Sequence, residues 1–543
     1  MPDIVLATLN AKFIHSAFGL RYLMANLGPL QSRAALLEFD INQRPLDIAE
    51  ALLAREPKII GLGIYLWNVA SSTELVALLK RLRPDLTIIL GGPEVSHETQ
   101  GQAIVELADY VITGEADLKF AEVCGAILDG SGPGPKIIPA PLPDLSRLAL
   151  PYDLYTDADI AHRLLYVEAS RGCPFRCEFC LSSLDESVRQ LPLPAFLAAL
   201  QRLLDRGARH FKFVDRTFNL SIPIGREILE FLLARHREGM LFHFEMVPDR
   251  LPEALREVIQ RFPPGALQFE LGVQTFNEEV AERIQRRQDS VKLEENFRFL
   301  REETGVHIHA DLVLGLPGES LDSIAAGFDR LIGLRPQEIQ VGLLKRLRGA
   351  PIARHTEEWA MTYNPHPPYD LLRNKLLDFA TMQRLRRFAR YWDLVGNSGN
   401  FVETTPLLWQ VEQASRLSRL EPSVAIDQRC STESQALSEA GTGGTTVLPS
   451  PFAAFLRFSE WLFAQVRRTD SIALLRLAEL LFRYLTAELK QAPEPVAESL
   501  WRDYQRGGHR EKPGFLSEHL AEAEEAKPSS PRRGPKRQAR HLS

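Results

Sequence analysis

Three of the chain's five cysteines fall within eight residues, Cys173-Pro174-Phe175-Arg176-Cys177-Glu178-Phe179-Cys180. Thiolates at this spacing hold metal. A four-iron four-sulfur (4Fe-4S) cluster takes four cysteine ligands. Cys124 and Cys430 stand alone in the sequence, so a three-thiolate site leaves one iron open to another kind of ligand, and that iron is where chemistry would occur. A structural zinc site is the competing reading, but closed zinc sites are tetrahedral and join two separated ligand couples. No second couple is present, and His162 and His210 are the nearest histidines. A disulfide framework would need an exported protein. Met1-Pro2-Asp3-Ile4 opens without a charged and then apolar leader, and no apolar run reaches the roughly 18 residues of a membrane span. A soluble, cytoplasmic protein with reduced thiols is expected.

The elements that must position these thiolates are legible as short apolar runs. From residue 1 to about 142, strands at Ile4–Thr8, Ala35–Phe39, Ile59–Tyr65, Thr87–Leu90 and Tyr110–Ile112 alternate with amphipathic helices. This pattern predicts a doubly wound, Rossmann-like parallel sheet. Such sheets bind ligands at the carboxyl ends of their strands. Those ends carry Lys12 and Ser16, Asn68, Gly91-Gly92 and Gly114-Glu115. Glycine there lets a ligand approach the backbone. No G-x-G-x-x-G is present, which argues against a dinucleotide.

From 150 to 350 the alternation resumes. Six strands are predicted, at 164–168, 211–215, 242–246, 267–273, 307–314 and 338–343. Six units make a partial (β/α)6, TIM-like barrel whose functional residues belong at the strand carboxyl ends. Asp215-Arg216-Thr217, Gln274-Thr275 and Gly315-Leu316-Pro317-Gly318-Glu319 lie there. His307, His309 and Asp311 share one face of a strand. A metal triad is one reading of them; hydrogen-bonded polar lining of the barrel is the preferred one.

C-x3-C-x2-C with Phe179 before the last cysteine resembles the cluster loop of the radical S-adenosylmethionine (SAM) enzymes. Glu270–Phe276 and Asp311–Glu319 resemble that family's fourth- and fifth-strand signatures, in the right order. The resemblance implies a 4Fe-4S cluster on Cys173, Cys177 and Cys180, with SAM chelating the open iron and cleaved to a 5'-deoxyadenosyl radical. It places Phe179 at the adenine, Asp215 and Thr217 near the methionine amino group, Glu270 and Gln274 by the ribose, and Gly315 where backbone nears the adenine. Asp215-Arg216-Thr217 stands where the family usually has Gly-Gly-Glu. Arg283, Arg286 and Arg287 are candidates for the SAM carboxylate, since guanidinium pairs bidentately with carboxylate.

The strand ends of residues 1–142 resemble the cobalamin-binding domain that precedes many radical SAM barrels. That implies cobalamin held by Lys12, Ser16, Asn68, Gly91, Gly92, Gly114 and Glu115. None of the 13 histidines has Asp two residues before it, so the resemblance implies cobalt without a histidine beneath it. His15 is read as a polar loop residue.

The 543 residues, 45% hydrophobic and 25% charged, describe an ordinary globular protein of several domains. A net charge of -6 argues against nucleic-acid binding. Beyond the barrel a helical extension (351–425), a Gly/Ser/Thr linker (426–450), a helical region (451–505) and a basic, disordered tail (506–543) are expected. The tail is read as solvated and as the one place where nucleic acid or anionic lipid would touch. Trp392, Phe401 and Trp409 are read as core rather than as a cavity cap. The expected function is a cobalamin-dependent radical SAM enzyme that transfers methyl to an unactivated centre of a small-molecule or peptide substrate. An electron donor such as flavodoxin or ferredoxin is implied. Cyclisation or rearrangement without methyl transfer, and a non-catalytic cluster and cobalamin sensor, are the alternatives.

Overall fold

The computed structural model describes residues 1–132, 134–185, 187–409, 450–520 and 536–542. All but the last residue of the expected linker at 426–450 lies outside them.

Six parallel strands, β1 (Ile4–Asn10), β2 (Ala34–Asp40), β3 (Ile59–Gly63), β4 (Thr87–Gly91), β5 (Tyr110–Thr113) and β6 (Ile137–Pro139), form a sheet in the order β2-β1-β3-β4-β5-β6. β1 is buried along its whole length, because helices cover both faces of the sheet. Val5, Ala7, Ile60 and Leu62 pack under helices Pro45–Leu53 and Val69–Leu82. Ile4, Leu6, Ile89 and Ile112 pack under Phe18–Ala25 and Lys119–Leu128. The winding reverses between β1 and β3, which opens a crevice at their carboxyl ends. β6 is not anticipated by the sequence reading. It is a three-residue edge strand ending in Pro139, too short to show a period.

The second sheet runs β14-β13-β12-β11-β10-β7, all parallel, with β7 (Leu165–Val167), β10 (His210–Phe213), β11 (Leu241–Met246), β12 (Leu267–Gln274), β13 (His307–Leu314) and β14 (Glu338–Leu343). A small antiparallel pair, β8 (Ser170–Arg171) and β9 (Arg189–Gln190), brackets the cysteine loop. The six-stranded partial barrel is the expected one. Phe211, Phe213, Phe242, Phe244 and Phe269 are fully or almost fully buried, and Phe213 meets Phe196 of helix Leu193–Asp205. That helix buries Phe196, Ala199, Leu200, Leu203 and Leu204, the apolar stripe of a helix laid on a sheet. The alternate positions Lys212, His243, Glu245, Glu270, His309 and Asp311 are titratable, where barrels usually place branched apolar residues.

Two departures follow the barrel. The extension expected to be helical from 351 includes a hairpin, Leu371–Arg373 paired with Thr362–Tyr363, and its long helix begins at Phe379. The tail expected to be disordered contains helices Gly514–Ser517 and Lys536–Leu542. Arg537 pairs with Glu338 at 2.8 Å and Gln538 with Gln268 at 2.7 Å. These buried polar partners at the start of barrel strands order the segment, and composition does not reveal them.

A second compact unit holds Leu321–Gly333 and the described residues from Gln383 to Leu520. Its core is aromatic: Trp392 meets Phe328 with ring centroids 4.8 Å apart and Phe455 at 4.9 Å. Phe401 is buried as well.

Candidate functional site

The cysteine loop leaves β8 through Gly172, whose φ of 95° and approach to the Ser187 carbonyl leave no room for a Cβ. Cys177 is buried and Cys173 and Cys180 are half-buried. The Cys180 N–H donates to the Cys177 carbonyl at 3.0 Å, and the Ser183 hydroxyl donates to the Cys180 carbonyl at 2.7 Å. Arg176 reaches across the turn to the carbonyls of Ser183 (2.9 Å) and Asp185 (3.1 Å). Arg286 lies 3.4 Å from Cys177 Sγ and also donates to the Gly272 carbonyl at the end of β12. Among the described residues no three His, Cys, Asp or Glu converge as one metal ion would require. The donor set is three thiols on one loop with a guanidinium N–H on a sulfur. That chemistry fits an iron–sulfur cluster, whose cysteines bind different irons. Cys124 lies in the core of the first sheet, with burial pushing its thiol up to about 12.

The residues expected near SAM divide. Gln274 ends β12 at φ 69°, at a bulge, with its amide folded over Gly272. Left-handed backbone at a non-glycine residue is a strained arrangement typical of ligand sites. Phe179 is half-buried beside Cys180, and Thr217 is buried in the turn after β10. Asp215 is turned inward: it accepts from the Ala169 N–H (3.0 Å) and the Ser170 hydroxyl (2.6 Å), so it secures the strand that feeds the cluster loop. Burial outweighs these bonds and pushes its carboxyl up to about 7. Glu270 is engaged by His243 at 3.0 Å and Lys212 at 3.2 Å. Burial works to raise it, but these two partners hold it well below the usual carboxylate range. Gly315 has φ 89°, and the space a Cβ would take belongs to Leu371 and Met382. Arg283 donates to the Pro317 carbonyl and lies over Trp359, while Arg287 is exposed; only Arg286 of the three touches the cysteine loop. His307 bonds Glu338 at 3.0 Å, and His309 lies 3.6 Å from Asp311. Burial, with Glu270 and Glu245 close by, lifts Asp311 well above its ordinary value.

A cavity of about 370 Å³ opens between the carboxyl ends of β3, β4 and β5 and the cysteine-loop side of the barrel. Gly91, Gly92, Gly114 and Glu115, candidates for cobalamin contact, line it. Gly61 and Gly63, which the sequence reading misses, line it too. Glycine within an apolar strand was the available signal. A Cβ on Gly61 would stand 2.8 Å from the Phe120 ring, and one on Gly92 2.4 Å from the Ile64 carbonyl. Lys12, Ser16 and Asn68 do not line the cavity. Asn68 spends its amide on Thr8, Leu9, Gly63 and Tyr65 in the loop after β3, Ser16 donates to the Leu164 carbonyl, and Lys12 is exposed. His15 Nδ1 is held 2.7 Å from the Tyr166 hydroxyl. Arg171 and Arg216 of the barrel complete the wall.

Two family models match this arrangement. The radical SAM superfamily matches residues 167–331, and the B12 binding domain matches residues 4–124. The chain thus carries a B12-binding domain followed by a radical SAM domain. A family described only as a protein of unknown function matches residues 357–415. An uncharacterized methyltransferase of Pyrococcus horikoshii is 23% identical over 320 residues, 52% of this chain and 65% of that protein. A 2-(S-pantetheinyl)-carbapenam-3-carboxylate methyltransferase of Streptantibioticus cattleyicolor is 23% identical over 334 residues, 55% of this chain and 48% of that protein. The chain thus spans between about half and two thirds of these relatives' length. The fold is similar to that of the radical SAM methyltransferase TsrM of Kitasatospora setae, solved with cobalamin and a 4Fe-4S cluster. The match has a TM-score of 0.54 at 16% identity, over 68% of this chain and 82% of that one. A radical SAM domain implies a 4Fe-4S cluster and SAM, and a B12-binding domain implies cobalamin. The three thiols fit the first, and the glycine-walled cavity fits backbone approach by a large ligand. No helix among the described residues is long and apolar enough to cross a membrane.

Proposed function

We propose that the chain is a cobalamin-dependent radical SAM methyltransferase acting on an unactivated centre of a small-molecule or peptide substrate, in the cytoplasm, with a flavodoxin- or ferredoxin-like donor. The observation that carries this reading is the single cavity wall on which glycines of the B12-binding domain meet residues of the cysteine-loop side of the barrel. When bound, the cluster with SAM supplies a carbon-centred radical, and cobalamin supplies the methyl group. The chain's own residues position these groups and exclude water. Cys173, Cys177 and Cys180 would hold the cluster, with SAM bound beside it. Arg286, fixed between Cys177 and the Gly272 carbonyl, presents a guanidinium to the SAM carboxylate. Phe179, Thr217 and Gln274 border the nucleoside side. Gly91, Gly92 and Gly114 let cobalamin lie against the strand ends, while Glu115 fixes the wall through its ion pair with Arg171 at 2.9 Å.

The test is product analysis. Anaerobically reconstituted protein incubated with SAM, reductant and cobalamin should release 5'-deoxyadenosine and S-adenosylhomocysteine. The Cys177→Ala protein should lack the cluster's visible absorbance and release no 5'-deoxyadenosine. Deoxyadenosine alone would replace methyl transfer with rearrangement or cyclisation.

A further inference from the structure

Glu178 sits between two cluster cysteines, and its side chain is 1% exposed. A carboxylate so placed is costly unless it is paired and hydrogen-bonded. It is both. Oε2 lies 2.6 Å from His355 Nε2, and Oε1 takes Gln285 Nε2 at 2.8 Å and an ion pair from Arg354. Its backbone is held as well: its N–H donates to the Ile284 carbonyl (3.1 Å), and its carbonyl accepts from the Ile352 N–H (2.8 Å). Arg354 and His355 lie beyond the stretch that matches the radical SAM superfamily. The loop is therefore tied to a segment that follows the barrel.

We propose that Glu178 is a positioning residue that fixes the cysteine loop against Pro351–His355 and, as a buried negative charge next to Cys177, keeps the cluster strongly reducing. The inference rests on the cluster reading. Net charge, hydrogen bonding and solvent exposure around a cluster set its potential. A carboxylate beside it disfavours the added electron. Arg354, more than half exposed while Glu178 is not, partly offsets that charge. The two groups must then act in opposite directions on the cluster, which a purely structural role would not produce.

The experiment is an electron-paramagnetic-resonance redox titration of the full-length, reconstituted protein without SAM, beside an iron assay. At the wild-type midpoint, Glu178→Gln should raise the ratio of reduced to oxidised cluster about tenfold, or 59 mV for one electron. Arg354→Gln, at an exposed side chain, should lower that ratio about threefold. Shifts in the same direction, or an unchanged midpoint in either variant, would overturn the proposal. If Glu178→Gln takes up no iron, the Arg354→Gln shift alone decides. Wild-type protein that takes up no iron would refute the cluster reading itself.

Discussion

Asp215 accepts from the Ala169 N–H and the Ser170 hydroxyl, so its charge state bears on the strand that delivers Gly172 and Cys173. Burial pushes its folded carboxyl up to about 7, against about 3.9 in an unfolded chain. Between those values the folded protein keeps a proton that the unfolded chain has released. The contribution to stability is therefore full below about pH 4 and is lost as pH rises towards 7. Asn keeps a carbonyl acceptor for the Ala169 N–H and removes the titration. Asp215→Asn should accordingly gain on wild type by about 3 kcal/mol between pH 5 and pH 8, read as the difference between their denaturation midpoints; parallel pH profiles would contradict it. At this scale the sequence is informative where partners are local. Cys173, Cys177 and Cys180 announce themselves by spacing. Glu178 does not, because Gln285, Arg354 and His355, which make sense of it, are distant in sequence and near only in the fold. Likewise the partners that surround Glu270 and Gly315, His243 and Lys212 on the one and Leu371 and Met382 on the other, lie far off in the sequence.

At the scale of elements, strands that are buried on both faces write themselves as apolar runs, which is why both sheets were legible. Elements ordered by one or two polar contacts were not. Helix Lys536–Leu542 reads as solvated tail by composition, yet Arg537 pairs with Glu338, Gln538 with Gln268, and the His541 ring stands edge-on to His307 at 5.4 Å. Glu338, Gln268 and His307 are themselves buried, and they sit at or near the amino-terminal ends of β14, β12 and β13. This is the floor of the barrel, opposite the end that bears the cysteine loop. A chain ending at Leu520 would leave Glu338 with His307 but without its cation, at a cost of about 1–3 kcal/mol. Hydrogen exchange should quicken at the first amides of β13 and β14 while the amides of β3 and β4 keep their protection. Unchanged exchange at the floor would show that the helix is incidental.

For the molecule as a whole, the methyl transfer proposed above requires that the two domains keep a fixed spacing, and Arg171 and Arg189, on the two strands that bracket the cluster loop, both pair with Glu115 of the B12-binding domain. Arg171 immediately precedes Gly172-Cys173. Its guanidinium contacts Glu168 at 2.8 Å and Glu115 and Asp117, just after β5, at 2.9 Å each, and lies over the Tyr22 ring. Burial opposes its charge, but the surrounding carboxylates raise its pKa further still, so it stays cationic at any working pH. Arg21 and Arg163 repeat the device on the other side of the junction, both pairing with Glu38 while Arg21 also bonds Asp159 at 3.0 Å. Removing one member of a buried ion network strands the others and costs about 3–5 kcal/mol. Arg171→Met should therefore lower the thermal midpoint and release cobalamin on gel filtration under conditions where wild type retains it. Arg171→Lys should recover only part of the loss, since an ammonium cannot satisfy three carboxylates with a planar fork. A methionine variant that keeps its midpoint and a full complement of cobalamin would mean that the spacing is set elsewhere, and Glu38 with its two arginines would be the next place to cut.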